Sequence, residues 1–359
     1  MSDWRRSWQP VVARVGAGRS GGSVKYGADS VERGAIRRYL EPLELDCPLH
    51  YDPDAARYHG YADVVAPYTS LLTWSAPPMW KPGTCIFTSA ERDAQPANSP
   101  IGISNQDLPP EATGYFATDM SLSFARPPVV GDRVGRRSPR LVDVALKETR
   151  VGRGAFLTSE TDVVDAAGEL LATTRSTLFV YEPVRTQARD AARDSEDPPA
   201  AGEPAALSGQ RVLADVREGE ALAPIAFPLS VYRLVMAAGA NRDFNSIHHN
   251  SEYAKASGAS EMYANTLFLQ GMWERAVREY IGTAGTIKEI RGFRMGSFNT
   301  VGDTVTVHGR VERLDREEGT VHLRVWSTNA TGTSVGPGTV VVTLPETIAR
   351  PEQPHPRGT

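Results

Sequence analysis

Apolar positions recur along this chain with two periods, one helical and one alternating, and the two follow each other in the same order twice. In the second half, Val231, Leu234, Val235 and Ala238 fall on one face of a helix predicted over 230–240. A short helix follows, with Ser251 placed to cap it and Gly258 to end it. A longer helix is predicted over 266–281, where Leu269, Met272, Trp273, Ala276, Val277, Tyr280 and Ile281 form a wide apolar face and Gly282 is a stop. A helix that apolar belongs against a sheet. Strand patterns then run over 290–295, 304–314, 320–328 and 338–344.

The first half opens on a glycine-rich, weakly patterned stretch over 1–28, expected to drape over the fold. A helix is expected from Asp29, with Ser30 as cap and Val31, Ala35, Ile36, Tyr39 and Leu40 at helical spacing. Asp52-Pro53-Asp54 is a strong helix start: a capping carboxylate, then proline at the first position. Another short helix, 68–75, stops before Pro77-Pro78. Residues 79–110 are rich in Pro, Asn, Ser and Asp and read as an inserted loop, either a cover over a site or surface decoration. Strands are expected over 116–124, 134–146, 156–164 and 170–181. The next stretch loses nearly all its large apolar residues and reads as a solvated linker. The expected organisation is an N-terminal unit over 1–183, a linker over 184–210, a C-terminal unit over 211–345 and a tail over 346–359.

The two halves repeat. A shift of 198 residues lays His50 on His248, Asp52 on Asn250, Asp54 on Glu252, Ala56 on Ala254, Arg57 on Lys255 and Gly60 on Gly258. A shift of 171 lays Val130-Gly131-Asp132 on Val301-Gly302-Asp303. The difference of 27 is close to the length of the inserted loop. Duplication of a unit made of helices followed by an antiparallel sheet is the reading, and two such sheets can lie edge to edge.

Composition narrows the classes. At 359 residues and 40% hydrophobic, the chain has the material for two ordinary cores. A net charge of −4 without a dense basic run makes nucleic acid an unexpected partner. Cys47 and Cys85 are the only cysteines, which excludes a disulfide framework and a cysteine zinc cluster; both are read as packing residues in a reducing compartment. The N-terminus lacks the apolar core of a signal peptide, and no apolar run is long enough for a membrane span, so a cytoplasmic protein is expected.

The candidate chemistry sits between the second-half helices. Asp243 and His248 are five residues apart, with Asn245 between them, in a short non-helical segment on rigid flanks. A carboxylate and an imidazole fixed this way suit general acid–base work. His249 is read as surface. His50 is read as structural, because Asp46 precedes it by four residues with Pro48 between.

Asp243-Phe244-Asn245-Ser246-Ile247-His248 resembles the D-x-N-P-[IL]-H motif of MaoC-like, (R)-specific 2-enoyl-CoA hydratases, also called hydratase 2. The resemblance runs on through Glu252, Ala254, Gly258, the long helix and Val301-Gly302-Asp303-Thr304-Val305, and the first half looks like the diverged partner of double hot-dog members. It implies an α+β double hot-dog, two antiparallel sheets each wrapped on a long helix. It implies hydration of an enoyl thioester, or dehydration of a 3-hydroxyacyl thioester, by Asp243 and His248 gripping one water, with Asn245 supporting. It implies thioester-oxygen donors at the long helix start, Asn265 and Thr266, with no metal or organic cofactor. The implied partner is an acyl-CoA or acyl-carrier-protein thioester, without nucleic acid or membrane; a homodimer is left open. The chain departs from the family at Ser246, where the motif has Pro, and at Asn265-Thr266, where the family has His-Gly. Those departures, with Trp80, Pro82 and Phe87 of the insertion available to line a cavity, lead to the expectation of a bulky or functionalised acyl group. A hot-dog thioesterase or a non-catalytic acyl-binding subunit is the alternative reading.

Overall fold

The structure, a computed structural model, describes residues 3–16, 23–97, 108–149, 151–183 and 210–347. The first half contributes helices α1 (Asp3–Ser7), α2 (Gln9–Val12), α3 (Arg33–Leu40), α4 (Pro53–Tyr58) and α5 (Leu71–Trp74). Its strands are β1 (Lys25–Tyr26), β2 (Gly114–Phe124), β3 (Gly135–Arg136), β4 (Arg140–Thr149), β5 (Gly152–Val164) and β6 (Leu170–Pro183). The second half contributes β7 (Ile225–Pro228), α6 (Val231–Asn241), α7 (Ser251–Ala256), α8 (Thr266–Ile281), β8 (Thr286–Arg294), β9 (Thr304–Asp315), β10 (Thr320–Asn329) and β11 (Gly332–Thr343).

The strands join in one 11-stranded antiparallel sheet, ordered β1-β3-β5-β6-β2-β8-β11-β10-β9-β7, with β4 beside β5. The halves meet edge to edge at β2 and β8, where Met120 lies opposite Phe293 and Leu122 opposite Ile290. This is the double hot-dog expected from the sequence, with α8 as the buried helix of the second half. Trp273 of α8 is fully buried against the Phe293 ring, 4.7 Å between centroids, and its indole N–H donates to Ser327 Oγ.

One detail differs. Among its described residues the first half has no long helix of the kind the resemblance implied; the short helix expected over 68–75 is there as a 3₁₀ turn, Tyr68–Ser70, and the single turn α5. Pro77-Pro78 ends this segment, because proline lacks the amide a helix must continue with. The second half makes good part of the loss. Glu274 of α8, fully buried, accepts hydrogen bonds from Tyr68 N at 2.7 Å, Thr69 N at 2.8 Å and Thr69 Oγ1 at 2.6 Å, so a carboxylate from one half caps the short helical start of the other. The N-terminal stretch also does more than drape: α1 and α2 bury Trp4, Trp8 and Val11 against Ala155 and Val180 of β5 and β6.

The duplication is written in the backbone at both sequence offsets. Val65 bridges Val129 as Tyr263 bridges Thr300. Val31 N bonds Asp132 O at 2.8 Å as Leu229 N bonds Asp303 O at 2.8 Å. The Asp132 carboxylate accepts from Val129 N as that of Asp303 accepts from Thr300 N. Asp52 caps α4 as Asn250 caps α7, so the α7 cap is Asn250 rather than Ser251. Other boundaries shift too. The helix expected from Asp29 begins at Arg33, the strand expected over 134–146 splits into β3 and β4, and β7 was not foreseen. Of the expected linker only Gln210 is described; residues 98–107 of the insertion and 348–359 of the tail also lie outside the described residues. Cys47 is buried as expected, whereas Cys85 is exposed on the insertion and is not the packing residue expected. Among the described residues no helix is long and apolar enough to cross a membrane.

Candidate active site

Four local devices build the segment carrying Asp243 and His248. Ser230 caps α6 by accepting from Arg233 N at 3.1 Å. Arg242 ends that helix in the left-handed region, φ 57°, a conformation unusual for a residue with a Cβ. Its guanidinium donates to Ala76 O at 3.3 Å and Pro77 O at 3.0 Å, which holds the turn from the first half. Asp243 N then folds back on Ala238 O at 2.9 Å. Asn245 Oδ1 accepts from Ile247 N at 3.4 Å and starts the 3₁₀ turn Ser246–His248. The result is that His248 Nε2 stands 3.4 Å from Asp243 Oδ2.

The imidazole is locked. His248 is 7% exposed, and its Nδ1 lies 2.9 Å from Tyr263 O. A carbonyl can only accept, so Nδ1 carries the proton and Nε2 presents a lone pair to Asp243. Burial pushes the His248 pKa down, against the opposing pull of the Asp243 charge, so the ring is neutral at physiological pH. Asp243 is the wetter partner, its side chain 26% exposed. A neutral Nε2 and a carboxylate are both acceptors and cannot bond each other. A water molecule, with two donors, satisfies both. The arrangement can therefore hold and deprotonate one water.

The start of α8 is tied to the same place. Asn265 Oδ1 accepts from Phe268 N at 2.7 Å, capping the helix, and from Asn241 Nδ2 at 3.0 Å, which joins the end of α6 to the start of α8. Asn265 Nδ2 is buried without a hydrogen-bond partner among the described residues. Thr266, the first residue of α8, donates its hydroxyl to Met295 Sδ at 3.6 Å. The first amides of a helix have no intrahelical acceptor and carry its positive dipole end, so they suit an oxyanion.

Sequence reasoning missed the residues that close the site from afar. Tyr115 of β2 accepts from Asn245 Nδ2 at 3.3 Å, Gln95 Oε1 of the insertion accepts from Ser246 Oγ at 3.0 Å, and Asp93 Oδ1 accepts from Asn250 Nδ2 at 2.6 Å. Tyr263 sets its ring edge-on to His248, centroids 5.3 Å apart, and lies 4.6 Å from Phe298. None has a local spacing that signals it. His249 is exposed, as read from the sequence. Trp80 and Phe87 are 53% and 77% exposed, so neither lines an enclosed cavity. The insertion reaches the site through Asp93 and Gln95 instead.

The first half holds the matching histidine without its acid. His50 Nδ1 lies 2.8 Å from Val65 O, as His248 Nδ1 does from Tyr263 O. The position 198 residues before Asp243 is Leu45, buried at 3% exposure. Asp46 turns outward and accepts from the Tyr51 hydroxyl. His50 Nε2 is left without a partner, and burial with the Arg278 charge lowers its pKa to about 3. A cleft of about 360 Å³ opens beside this turn, between Pro48, Ala55, His59 and Gly282 and away from Asp243. Among the described residues, no group of three or more His, Cys, Asp or Glu is arranged to hold a metal ion.

Residues 20–174 match the family model for the FAS1-like, dehydratase domain region. A probable enoyl-CoA hydratase alpha subunit of Thermomonospora curvata is 28% identical over 170 residues; the match covers 47% of this chain and 51% of that protein, so the chain spans about half its length. A 3-oxo-4,17-pregnadiene-20-carboxyl-CoA hydratase beta subunit of Mycobacterium tuberculosis is 33% identical over 102 residues, covering 28% of this chain and 77% of that protein. Among solved structures, a protein described as a MaoC-like dehydratase matches with TM-score 0.66 and 22% identity over 92% of this chain and 99% of its own. A Mycobacterium tuberculosis protein described as having a double hotdog fold matches with TM-score 0.59 and 16% identity over 91% of this chain and 96% of its own.

Proposed function

Because the chain belongs to the MaoC-like hydratase and dehydratase family, we propose that it is a hydro-lyase that adds water to an enoyl thioester or removes it from a 3-hydroxyacyl thioester. The observation behind this reading is the locked pair: His248 Nε2 and Asp243 Oδ2, both acceptors, 3.4 Å apart. A water donating to both is aimed by them at one substrate carbon. In hydration, His248 takes a proton from that water as its oxygen bonds C3. Charge moves through C2 to the thioester oxygen, and the amides at the start of α8, near Asn265 and Thr266, stabilise it. The His248–Asp243 pair then returns a proton to C2. Dehydration is the reverse path. Asn245 sets the turn on which His248 rides.

The second half, 211–345, is the catalytic unit in this reading. Leu45 in the place of the acid argues that the first half has given up chemistry. The acyl carrier is CoA or a carrier protein. A polycyclic acyl group is named for the Mycobacterium tuberculosis relative, which supports a bulky acyl group here.

The test is a panel of enoyl and 3-hydroxyacyl thioesters, read by mass spectrometry for gain or loss of one water and by thiol assay for free carrier. Asp243→Asn and His248→Ala should each lower turnover by about two orders of magnitude or more, the scale of losing a general acid or base. Either variant at near wild-type rate refutes the assignment. Released thiol without hydration marks a thioesterase instead.

A further inference from the structure

The catalytic segment is gripped by the other half of the molecule. Arg242 donates to Ala76 O and Pro77 O, Ser246 donates to Gln95, Asn250 donates to Asp93, and Asn245 donates to Tyr115. Four of these acceptors lie in the loop after α5. Tyr115 alone lies on a strand, at the end of β2 beyond the stretch that pairs with β8.

Asn245 is the residue this contact governs. Its Oδ1 accepts from Ile247 N, which opens the turn ending at His248. A side-chain amide has one acceptor end and one donor end. With Oδ1 spent on the turn, the orientation of the amide is fixed only if Nδ2 finds an acceptor. The Tyr115 phenol oxygen supplies it at 3.3 Å. Having accepted, the phenol keeps its own proton to donate. Burial and the nearby Asp243 charge raise the Tyr115 pKa, so the hydroxyl stays protonated across the working range of an imidazole base.

Resting on the hydratase reading above, we propose that Tyr115 of the first half is a positioning residue for the second-half site, acting through Asn245 to hold the turn that aims His248 at Asp243. The active site is then a composite: chemistry from one repeat, alignment from a strand of the other. A phenol acting this way changes how often the pair is aligned, not how the acyl chain is bound. Its loss therefore falls on kcat and leaves KM in place.

The experiment is a double-mutant cycle in the full-length protein, with Tyr115→Phe, Asn245→Ala and the double variant assayed on the best thioester of the panel. Tyr115→Phe should lower kcat about three- to tenfold, the range of one net hydrogen bond, with KM unchanged. In the Asn245→Ala background the same change should have no further effect. Denaturant midpoints of the four proteins give the same cycle without activity, and coupling should appear there too. Additive losses, an unchanged kcat, or a loss confined to KM would overturn the proposal. A wild type inactive on every thioester would refute the hydratase reading instead, and the cycle in stability would still report whether Tyr115 holds Asn245.

Discussion

Lowering the pH should destabilise this protein through His50, which lies outside the proposed site. The folded state protonates His50 only near pH 3, because the ring is fully buried and faces the Arg278 charge. The unfolded chain protonates it near the ordinary value of about 6.5. Between those values the unfolded state binds more protons, so stability falls as pH falls. Integrating the linkage from pH 7 to pH 5 gives a loss of about 2 kcal/mol from this one group. His50→Leu removes the titration but leaves Val65 O without the Nδ1 donor, at a cost of about 1–3 kcal/mol. The variant should thus be less stable than wild type at neutral pH, and the gap should close by about 2 kcal/mol at pH 5. The assay is urea unfolding of both proteins at several pH values, comparing midpoints at constant m. Taking the difference cancels His248 and every other shared titration. A gap that does not change with pH would refute the claim that the fold keeps His50 neutral. Turnover of the variant at neutral pH should stay close to wild type; a loss on the scale of His248→Ala would make the first half catalytic after all.

Three further outcomes follow from the geometry. The lowered His248 pKa predicts that kcat/KM holds to below the ordinary histidine range and falls only at more acidic pH; an acid limb above about 6.5 would contradict it. Glu274→Ala leaves Tyr68 N, Thr69 N and Thr69 Oγ1 buried without their acceptor and should lower stability by at least about 3 kcal/mol, read by the denaturant midpoint, with Glu274→Gln intermediate. Crotonyl-CoA should be a poorer substrate than a bulky enoyl thioester, because Asn265-Thr266 reshapes the start of α8; a higher kcat/KM for crotonyl-CoA would refute this.

What could be read from the sequence was what is local or repeated. Asp243, Asn245 and His248 share one short turn, so their spacing alone carries their geometry, and the 198- and 171-residue offsets reappear as matched backbone bonds. The strand patterns located most of the sheet, because alternation reports which face is buried. Tyr115 could not be found, since it meets Asn245 across 130 residues and a tyrosine on a strand has no signature of its own. The short first-half helix over 68–75 was legible from its own residues and from Pro77-Pro78, whereas the resemblance implied a long one; the cap supplied by Glu274 of α8 could not be read, because it joins residues about 205 positions apart. Trp4 and Trp8 were passed over because the glycines after them dilute the pattern.

The Glu274 cap has a consequence for any attempt to divide this molecule. Expressed alone, the second-half repeat would present a bare carboxylate on α8 and the open edge of β8, where β2 now lies. The other repeat would lose the group that caps its Tyr68–Ser70 turn. Each fragment would expose to solvent what its sibling now covers, and an open strand edge invites pairing with the wrong neighbour. Supplied together, the two pieces have a defined way to find each other, with a strand pair to zip and an acid to seat. Split-gene complementation is therefore the route to separate genetic control of the halves, and isolated expression of either should yield aggregate.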